Sequence, residues 1–478
     1  MRPRRVLVAT LVAACVAGCS RGGGGGGGGS SIAATISGTA TSGSTAAGVD
    51  AQLGAALAVA GVTPLTAPAP DSPALVALGR SLYFDKIVSG NQNISCASCH
   101  QMGASTGDGL PVAMGEGATG DGTQRTLGTG QLIARNAQAL FNSGQAAMDF
   151  MFWDGRVLLD PITGTLTTPD FLLNGSSPSR PAITAELTSA LAAQAMFPPT
   201  VAQEMLGQPG NNPLAGFVLD EDIWAGIMAR LVGTSNGTVG GITAYRSLFA
   251  AAFPSVTDFD DLSFGHAAQA IAAFERASFT AVNSPFDQYV NGNLSALSDS
   301  QKQGALLFFG AANCSSCHDG PLLTDMQFHA LAVPQVGPGK DQANEDLGRA
   351  LITGLATDDY RFRTPPLRNV AQTGPWMHDG AYTTLEGAVR HHLDPASAIL
   401  SYDASQLPPL FAATVDTDAA RIAARIAAID PLLGAPLALS DTQVAELLDF
   451  LNALTDPGSL SLQQYVPASV PSGLPIPD

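Results

Sequence analysis

The chain has 478 residues, 45% of them apolar and 13% charged, which is material for two or three ordinary domains with sizeable cores. Forty acidic side chains against 22 basic ones leave a net charge of −18. That balance argues against nucleic acid or an anionic membrane surface as partner and suits a basic one.

Residues 1–18 have the form of an export signal. Arg2, Arg4 and Arg5 make the charged start, and Val6 to Val16 make an apolar run too short to span a bilayer. The run ends Val16-Ala17-Gly18-Cys19, which resembles a bacterial lipobox cut before a Cys that is then lipidated. An ordinary signal peptide with a chance Cys is the competing reading. The lipobox predicts a periplasmic lipoprotein, and Ser20 fits anchoring to the outer membrane. Residues 19–70 then read as a lipidated Cys and a flexible leash, with an unbroken glycine run from Gly22 to Gly29. No later segment reads as transmembrane.

Folded structure is expected from residue 71. Asp71 or Ser72 can cap a helix that has Pro73 at its first position and Leu75, Leu78, Leu82 and Tyr83 on one face. The stretch 160–199, rich in Thr, Ser, Pro and Ala, reads as an excursion inserted into a first domain of residues 71–292. Residues 264–282 read as a helix with Ala267, Ile271, Phe274 and Ser278 along one side. A polar boundary near Asn291–Ser298 opens a second domain, 293–456. Within it, Ser298 with Gln301, Thr383 with Glu386, and Ser440 with Gln443 read as capping boxes that start helices. Residues 457–478 form a Pro-rich tail expected to be extended. No run of alternating strands occurs, so the fold class is mainly α.

Six cysteines carry the strongest signal. Cys15 and Cys19 belong to the signal; the other four fall as Cys96-Ala97-Ser98-Cys99-His100 and Cys314-Ser315-Ser316-Cys317-His318. Each is C-x-x-C-H, the attachment pattern of a c-type haem, with two thiols for thioether bonds and the His for the iron. A disulfide framework does not need a His directly after each pair. A zinc site would draw its ligands together, whereas these pairs are far apart in the chain. A thioredoxin-like pair is the third alternative. Two haem c groups, in two cytochrome c-like domains packed around an interface, are the expectation.

At this point the sequence resembles the bacterial di-haem cytochrome c peroxidase family, which includes MauG. The likeness runs from about residue 72 to 455. It is carried by Leu78-Gly79-Arg80-Ser81-Leu82-Tyr83-Phe84-Asp85, Arg135-Asn136 with Asn142, Phe152-Trp153-Asp154-Gly155-Arg156, Pro285-Phe286-Asp287-Gln288-Tyr289, Arg363-Thr364-Pro365-Pro366-Leu367-Arg368-Asn369-Val370 and His378-Asp379-Gly380. The resemblance implies a peroxidatic first haem ligated by His100 and an electron-relaying second haem ligated by His318. It implies hydrogen peroxide as substrate and a small donor protein, a cytochrome c or cupredoxin. It places Trp153 between the haems and Glu204, in a Glu-Met pair, as the group that moves the peroxide proton. It also implies a calcium held by the Asn136 side chain and the Thr373 and Pro375 carbonyls, and family members are often homodimers.

The sequence departs from that pattern twice. Family members carry a His in the loop after the first haem, but no His lies between His100 and His266, and Glu116 stands near that place. Met102 and Met114 are other candidate ligands, though Met in loops more often packs. The expectation is a first haem open at rest, as in MauG. Second, the position fourteen residues past His378, Met or Tyr in the family, is His392. It shares one helix face with Leu385, Ala388 and Val389, while His391 points elsewhere and reads as a bystander. His266, His329 and His378 read as structural or interfacial. The leading function is a periplasmic peroxidase. The alternatives are a MauG-like enzyme that oxidises side chains of a partner protein, and a non-catalytic electron carrier.

Overall fold

A computed structural model describes residues 46–233, 240–433 and 435–476, so the expected signal, Cys19 and the glycine run lie outside the described residues. The described chain is predominantly helical with few strands. It is built on two similar helix pairs. In the first half, α2 (Pro73–Phe84) crosses α5 (Phe264–Ser278); in the second, α6 (Asp299–Phe308) crosses α8 (Asp441–Asn452). Each crossing is made at a glycine. A methyl group on Gly79 would collide with the Ala270 carbonyl, and one on Gly304 with the Glu446 carbonyl. A small residue lets the backbones approach, so that Phe274 and Phe450 pack beside the crossing points.

Local signals start these helices. Ser72 accepts the Leu75 N–H at 3.2 Å with Pro73 following. Ser298 and Ser440 each form a reciprocal capping box with the Gln three residues on. α7 (Leu385–Leu393) departs from expectation, because Thr384 caps it, accepting the Gly387 N–H at 3.1 Å. Thr383 bonds Gln406 instead and Glu386 pairs with Arg390, so the Thr383–Glu386 box does not form. α5 stops at Ser278, short of 282, because Asn142 takes both the N–H and the C=O of Ala281.

Three segments expected to lie outside the cores are part of them. α1 (Ala46–Val59) falls within the stretch read as leash. Leu53 and Leu57 share its inner face and bury against α6, and Asp50 pairs with Lys302 at 2.7 Å. The excursion is also shorter than 160–199. It leaves from an antiparallel three-strand ribbon, β1 (Phe150–Met151), β2 (Val157–Leu159) and β3 (Leu166–Thr167), of which only β3 lies within that stretch. By α4 (Ala190–Ala195) the chain is back under α5, with Ala190, Leu191, Ala192, Ala193 and Met196 buried. The tail returns across the first half: Arg80 donates to the Tyr465 and Val466 carbonyls, Asp85 accepts from Ser472, and Leu462 and Val470 are buried.

The halves meet at a dehydrated ion cluster. Arg135 makes two bonds to Asp346, at 2.6 and 2.8 Å, and one to Asp154 at 2.6 Å; both carboxylates are 2% exposed. The turn that follows Phe152 is gripped from the second half by Arg349, on the Asp154 and Gly155 carbonyls. Arg363, in the two-stranded ribbon of β4 (Phe328–His329) and β5 (Phe362–Arg363), bonds the Phe152 carbonyl through its side chain and the Trp153 carbonyl through its own N–H. A small third core joins Leu110, Val112 and Met114 to Val336, Ala381, Tyr382 and Phe411.

Two outcomes follow for stability. Asp346→Ala leaves Arg135 buried with half its partners and should cost about 3–5 kcal/mol in urea unfolding. Burial alone would raise the Asp154 and Asp346 carboxyls, but Arg135 outweighs it and holds both below their ordinary 3.8. Their contribution is therefore full above about pH 4 and is lost as pH falls through the lower folded values, so the acid-unfolding midpoint should rise in the variant. Gly304→Ala should destabilise by about 1–3 kcal/mol through overpacking, read as a lower melting temperature, and equal stability would refute the close crossing.

Candidate functional site

Each C-x-x-C-H segment folds so that its histidine presents one nitrogen. Cys96–Cys99 form the single helical turn α3, opened by a box between Ser95 and Ser98. His100 follows, its Nδ1 3.0 Å from the Thr106 carbonyl, and the Tyr83 hydroxyl holds the His100 carbonyl at 2.7 Å. In the second half His318 repeats the arrangement, with Nδ1 3.0 Å from the Leu323 carbonyl. A carbonyl can only accept, so each Nδ1 carries the proton and each Nε2 keeps its lone pair. Burial lowers the pKa of His100 and takes that of His318 to about 4, with His392 adding to the second effect, so both rings are neutral, as metal ligands must be.

His392 completes the second site. Its Nδ1 lies 2.8 Å from the Ala388 carbonyl, which leaves Nε2 free in the same way. Its ring centroid is 6.5 Å from that of His318. Two imidazoles on opposite faces of one metal, with bonds of about 2 Å, put their centroids roughly 6 Å apart. The pair fits a single ion between them. Around them is a cavity of about 500 Å³, with Trp153, Cys314, Cys317 and Trp376 also on its wall. The helix face expected to point inward, Leu385, Ala388, Val389 and His392, lines it.

The four thiols do not converge, and they form no disulfide. Burial pushes Cys96, Cys99 and Cys314 up to about 12. Neutral, separated thiols do not suit a zinc site, which needs thiolates, or a redox-active pair. The one grouping of metal-binding side chains among the described residues is Cys317, Asp325 and His329. It is an ion pair rather than a ligand set. Both His329 nitrogens lie 2.9 Å from carboxylate oxygens, of Asp325 and Asp430, and hydrogen bonding led by Asp325 raises its pKa to about 10. A cavity between paired imidazoles, with two cysteines on its wall, fits a haem.

The first site has a different outer face. Glu204 lies on a turn of π-helical form, Ala202–Leu206, with its carboxylate 4.0 Å from Arg156 and close enough to Cys99 to raise that thiol's pKa. The loop after the first C-x-x-C-H packs against this turn. The Glu116 N–H bonds the Gln203 carbonyl at 3.0 Å, and a methyl group on Gly115 would strike the same oxygen. Glu116 itself is held by Asn91 and Asn93, at 2.6 and 2.9 Å. Met102 and Met114 are buried in hydrophobic cores. Arg125 ties the loop down, donating to the Ser98, Met114 and Gly115 carbonyls.

Between the sites runs the segment 136–138. The Gln138 backbone bonds His100, while the Gln138 side lines the second cavity. Trp153 donates its indole N–H to the Asn136 carbonyl at 3.2 Å. Asn136, Thr373 and Pro375 also face this cavity. The Asn136 amide protons go to the Leu110 and Pro111 carbonyls, which leaves its Oδ1 as the acceptor for a cation. With no carboxylate among these three, calcium there needs water to fill its shell. His378 is interfacial, stacked 3.5 Å from Phe362, and His266 packs against Phe253. Arg125, Tyr382 and the pairing of His391 were not legible in the sequence. No local spacing signals them, because their contacts run between non-adjacent turns and loops that only the fold brings together.

A family model described as di-haem cytochrome c peroxidase matches residues 73–295. The cytochrome c551 peroxidase of Pseudomonas aeruginosa is 29% identical over 312 residues, covering 65% of this chain and 69% of its own length. The methylamine utilization protein MauG of Methylorubrum extorquens is 27% identical, over 68% and 70%. Among solved structures, a MauG-like protein associated with microbial copper homeostasis superposes with a TM-score of 0.55 at 27% identity, covering 84% of this chain and 96% of that one.

The loop clamp can be tested without reference to chemistry. Arg125→Met removes three hydrogen bonds from buried carbonyls and should increase amide hydrogen exchange across residues 109–117. Unchanged protection would show that the loop is held by something else.

Proposed function

From the chain's likeness to the di-haem cytochrome c peroxidase family we propose that it belongs there and reduces hydrogen peroxide to two waters, with two electrons from a small redox protein and two protons from solvent. The single observation that carries this reading is the asymmetry of the two histidine sites. His318 is paired with His392 across a cavity; His100 has no such ring contact among the described residues, and Glu204 lies near Cys99 of its motif. We read the two helix pairs as two cytochrome c-like units, each carrying a haem joined to Cys96 and Cys99 or to Cys314 and Cys317.

The haems, when bound, supply the redox chemistry. The chain's residues do the rest. His100 would hold the first haem through Nε2, with the Thr106 carbonyl fixing its tautomer. Glu204 takes a proton from the near peroxide oxygen and delivers it to the far one, and Arg156 keeps that carboxylate in place. His318 and His392 would hold the second haem through their free Nε2 atoms. Trp153, bonded to the same 136–138 segment that reaches His100, stands on the electron path between the sites. Asn136, Thr373 and Pro375 hold a calcium ion at that junction.

The missing loop histidine supports a first haem that is open at rest, since Glu116 is committed to Asn91 and Asn93. The same feature favours a second reading, a MauG-like enzyme whose peroxide oxidises side chains of a partner protein. The donor is a small cytochrome c or cupredoxin, in keeping with the acidic chain and with the name of the Pseudomonas aeruginosa relative. The export signal supports a periplasmic lipoprotein, anchored at the outer membrane through Cys19. No helix among the described residues is long and apolar enough to cross a membrane.

Peroxide added to the oxidised protein, followed by a reduced cytochrome, should give rapid turnover. A long-lived oxidised species with no turnover supports the MauG-like reading, and no reaction supports a mere carrier. Glu204→Gln should lower kcat/KM for peroxide by about 10²–10⁴ while leaving the resting spectrum unchanged. The resting spectrum should show one high-spin and one low-spin haem; two low-spin haems would rule out the open site. Mass spectrometry should find two haem adducts, and one in Cys314→Ser with Cys317→Ser.

A further inference from the structure

His391, next in sequence to the second-site ligand, is not idle. Its Nε2 lies 2.7 Å from the Leu331 carbonyl, so Nε2 carries the proton. Nδ1 therefore offers a lone pair, and the Tyr382 hydroxyl sits 2.8 Å from it and must donate. Both side chains are buried, His391 at 1% exposure and Tyr382 at 7%. The Tyr382 and His391 rings are 5.2 Å apart, and His391 is 6.4 Å from His392. On the other side Tyr382 lies 5.6 Å from Tyr402, which is partly exposed.

We propose that Tyr382 and His391 form a proton-coupled redox pair, from which the haem between His318 and His392 draws one electron after peroxide has been reduced. The inference rests on the peroxidase reading and names a residue that this reading does not use. The step balances. Reduction of one peroxide to two waters takes two electrons and two protons. The protons come from solvent; when no donor protein supplies the electrons, one comes from Tyr382 and the other from the haems. The Tyr382 O–H bond breaks; its electron passes by way of His391 and His392, and its proton moves to His391 Nδ1. A neutral tyrosyl radical is left beside an imidazolium.

The choice of partner carries the argument. A phenol that loses an electron must also lose its proton, and in a buried site a neighbouring group has to accept it. A carbonyl satisfies a resting phenol equally well but cannot take the proton. Tyr83 bonds the His100 carbonyl and Tyr402 bonds the Ala381 carbonyl. Tyr382, the tyrosine nearest the paired histidines through this chain of rings, has an imidazole with its lone pair already aimed at the hydroxyl. His391 is in turn kept in that tautomer by Leu331.

The test is freeze-quench electron paramagnetic resonance of the oxidised holoprotein mixed with peroxide and no donor. A tyrosyl signal is expected that narrows in protein grown on ring-deuterated tyrosine. It should vanish in Tyr382→Phe, persist in Tyr402→Phe, and fall at least tenfold in His391→Gln. In wild type its formation should slow in D2O, a readout that remains if Tyr382→Phe does not take up haem. A tyrosyl signal unchanged in Tyr382→Phe, or peroxide-driven changes in the haem bands with no tyrosyl signal in wild type, would overturn the pair. Haem bands that do not respond to peroxide at all would overturn the peroxidase reading itself.

Discussion

A guanidinium stripped of water holds the two halves together. Arg135 has no solvent to fall back on, so its bonds to Asp154 and Asp346 are made together or the interface opens. Asp154 directly follows Trp153, and Asp346 comes from the far side of the interface. Fixing these three charges fixes the Trp153 turn relative to both histidine sites. The grips of Arg349 and Arg363 on the same turn act on carbonyls and set its depth. Any slip of the halves would separate the Trp153 carbonyl from Arg363 and the Asn136 N–H from the His378 carbonyl.

Inside that frame the two sites obey the same rules up to the histidine and diverge beyond it. Each helix pair crosses at a glycine, and each imidazole gives its Nδ1 proton to a carbonyl a few residues on. What differs is the element opposite. In the second half a regular amphipathic helix faces the cavity and brings His392 in at the right height. In the first half three irregular pieces are bonded together beside the motif: the loop before it, the loop after it, and the Ala202–Leu206 turn. Irregular backbone offers N–H and C=O groups and leaves a side chain such as Glu204 room to act, whereas a helix offers a rigid ligand. Division of labour between the sites is therefore a consequence of secondary structure.

Local chemistry was legible in the sequence and long-range chemistry was not. The capping boxes at Ser298 and Ser440 are complete within four residues, and both form. The face of Leu385, Ala388, Val389 and His392 follows from helical spacing alone. Thr383 failed as a cap because Gln406, twenty-three residues on, competes for it. α4 was lost in a stretch of Ala, Ser and Thr, whose low hydrophobicity looks like a loop; its alanines are small because α5 lies directly on them. α1 was hidden by the glycine-rich composition before it, although Leu53 and Leu57 already shared a face. Arg125, Asp346 and the Leu331 carbonyl that orients His391 have no pattern to find, since each acts on residues brought near only by the fold.

Two histidines on the second iron, as proposed above, would change what that site is good for. Methionine ligation raises a haem's potential, so His392 in its place would make the site a weaker acceptor from an ordinary cytochrome. The same shift makes it easier for the site to give up an electron towards the peroxide side. A centre of that kind is emptied before it is refilled, and the interval depends on how fast a donor arrives. During the interval an oxidisable side chain with a proton acceptor beside it competes with the donor. Tyr382 is such a side chain, already joined to a base. With donor abundant, electrons flow inward and peroxide is the only substrate consumed. With donor scarce, the oxidising equivalent moves outward to Tyr382, and Tyr402 lies one ring further towards solvent. The peroxidase and MauG-like readings then describe one electron path run at two rates of supply, and the identity of the second site's outer ligand is what allows both.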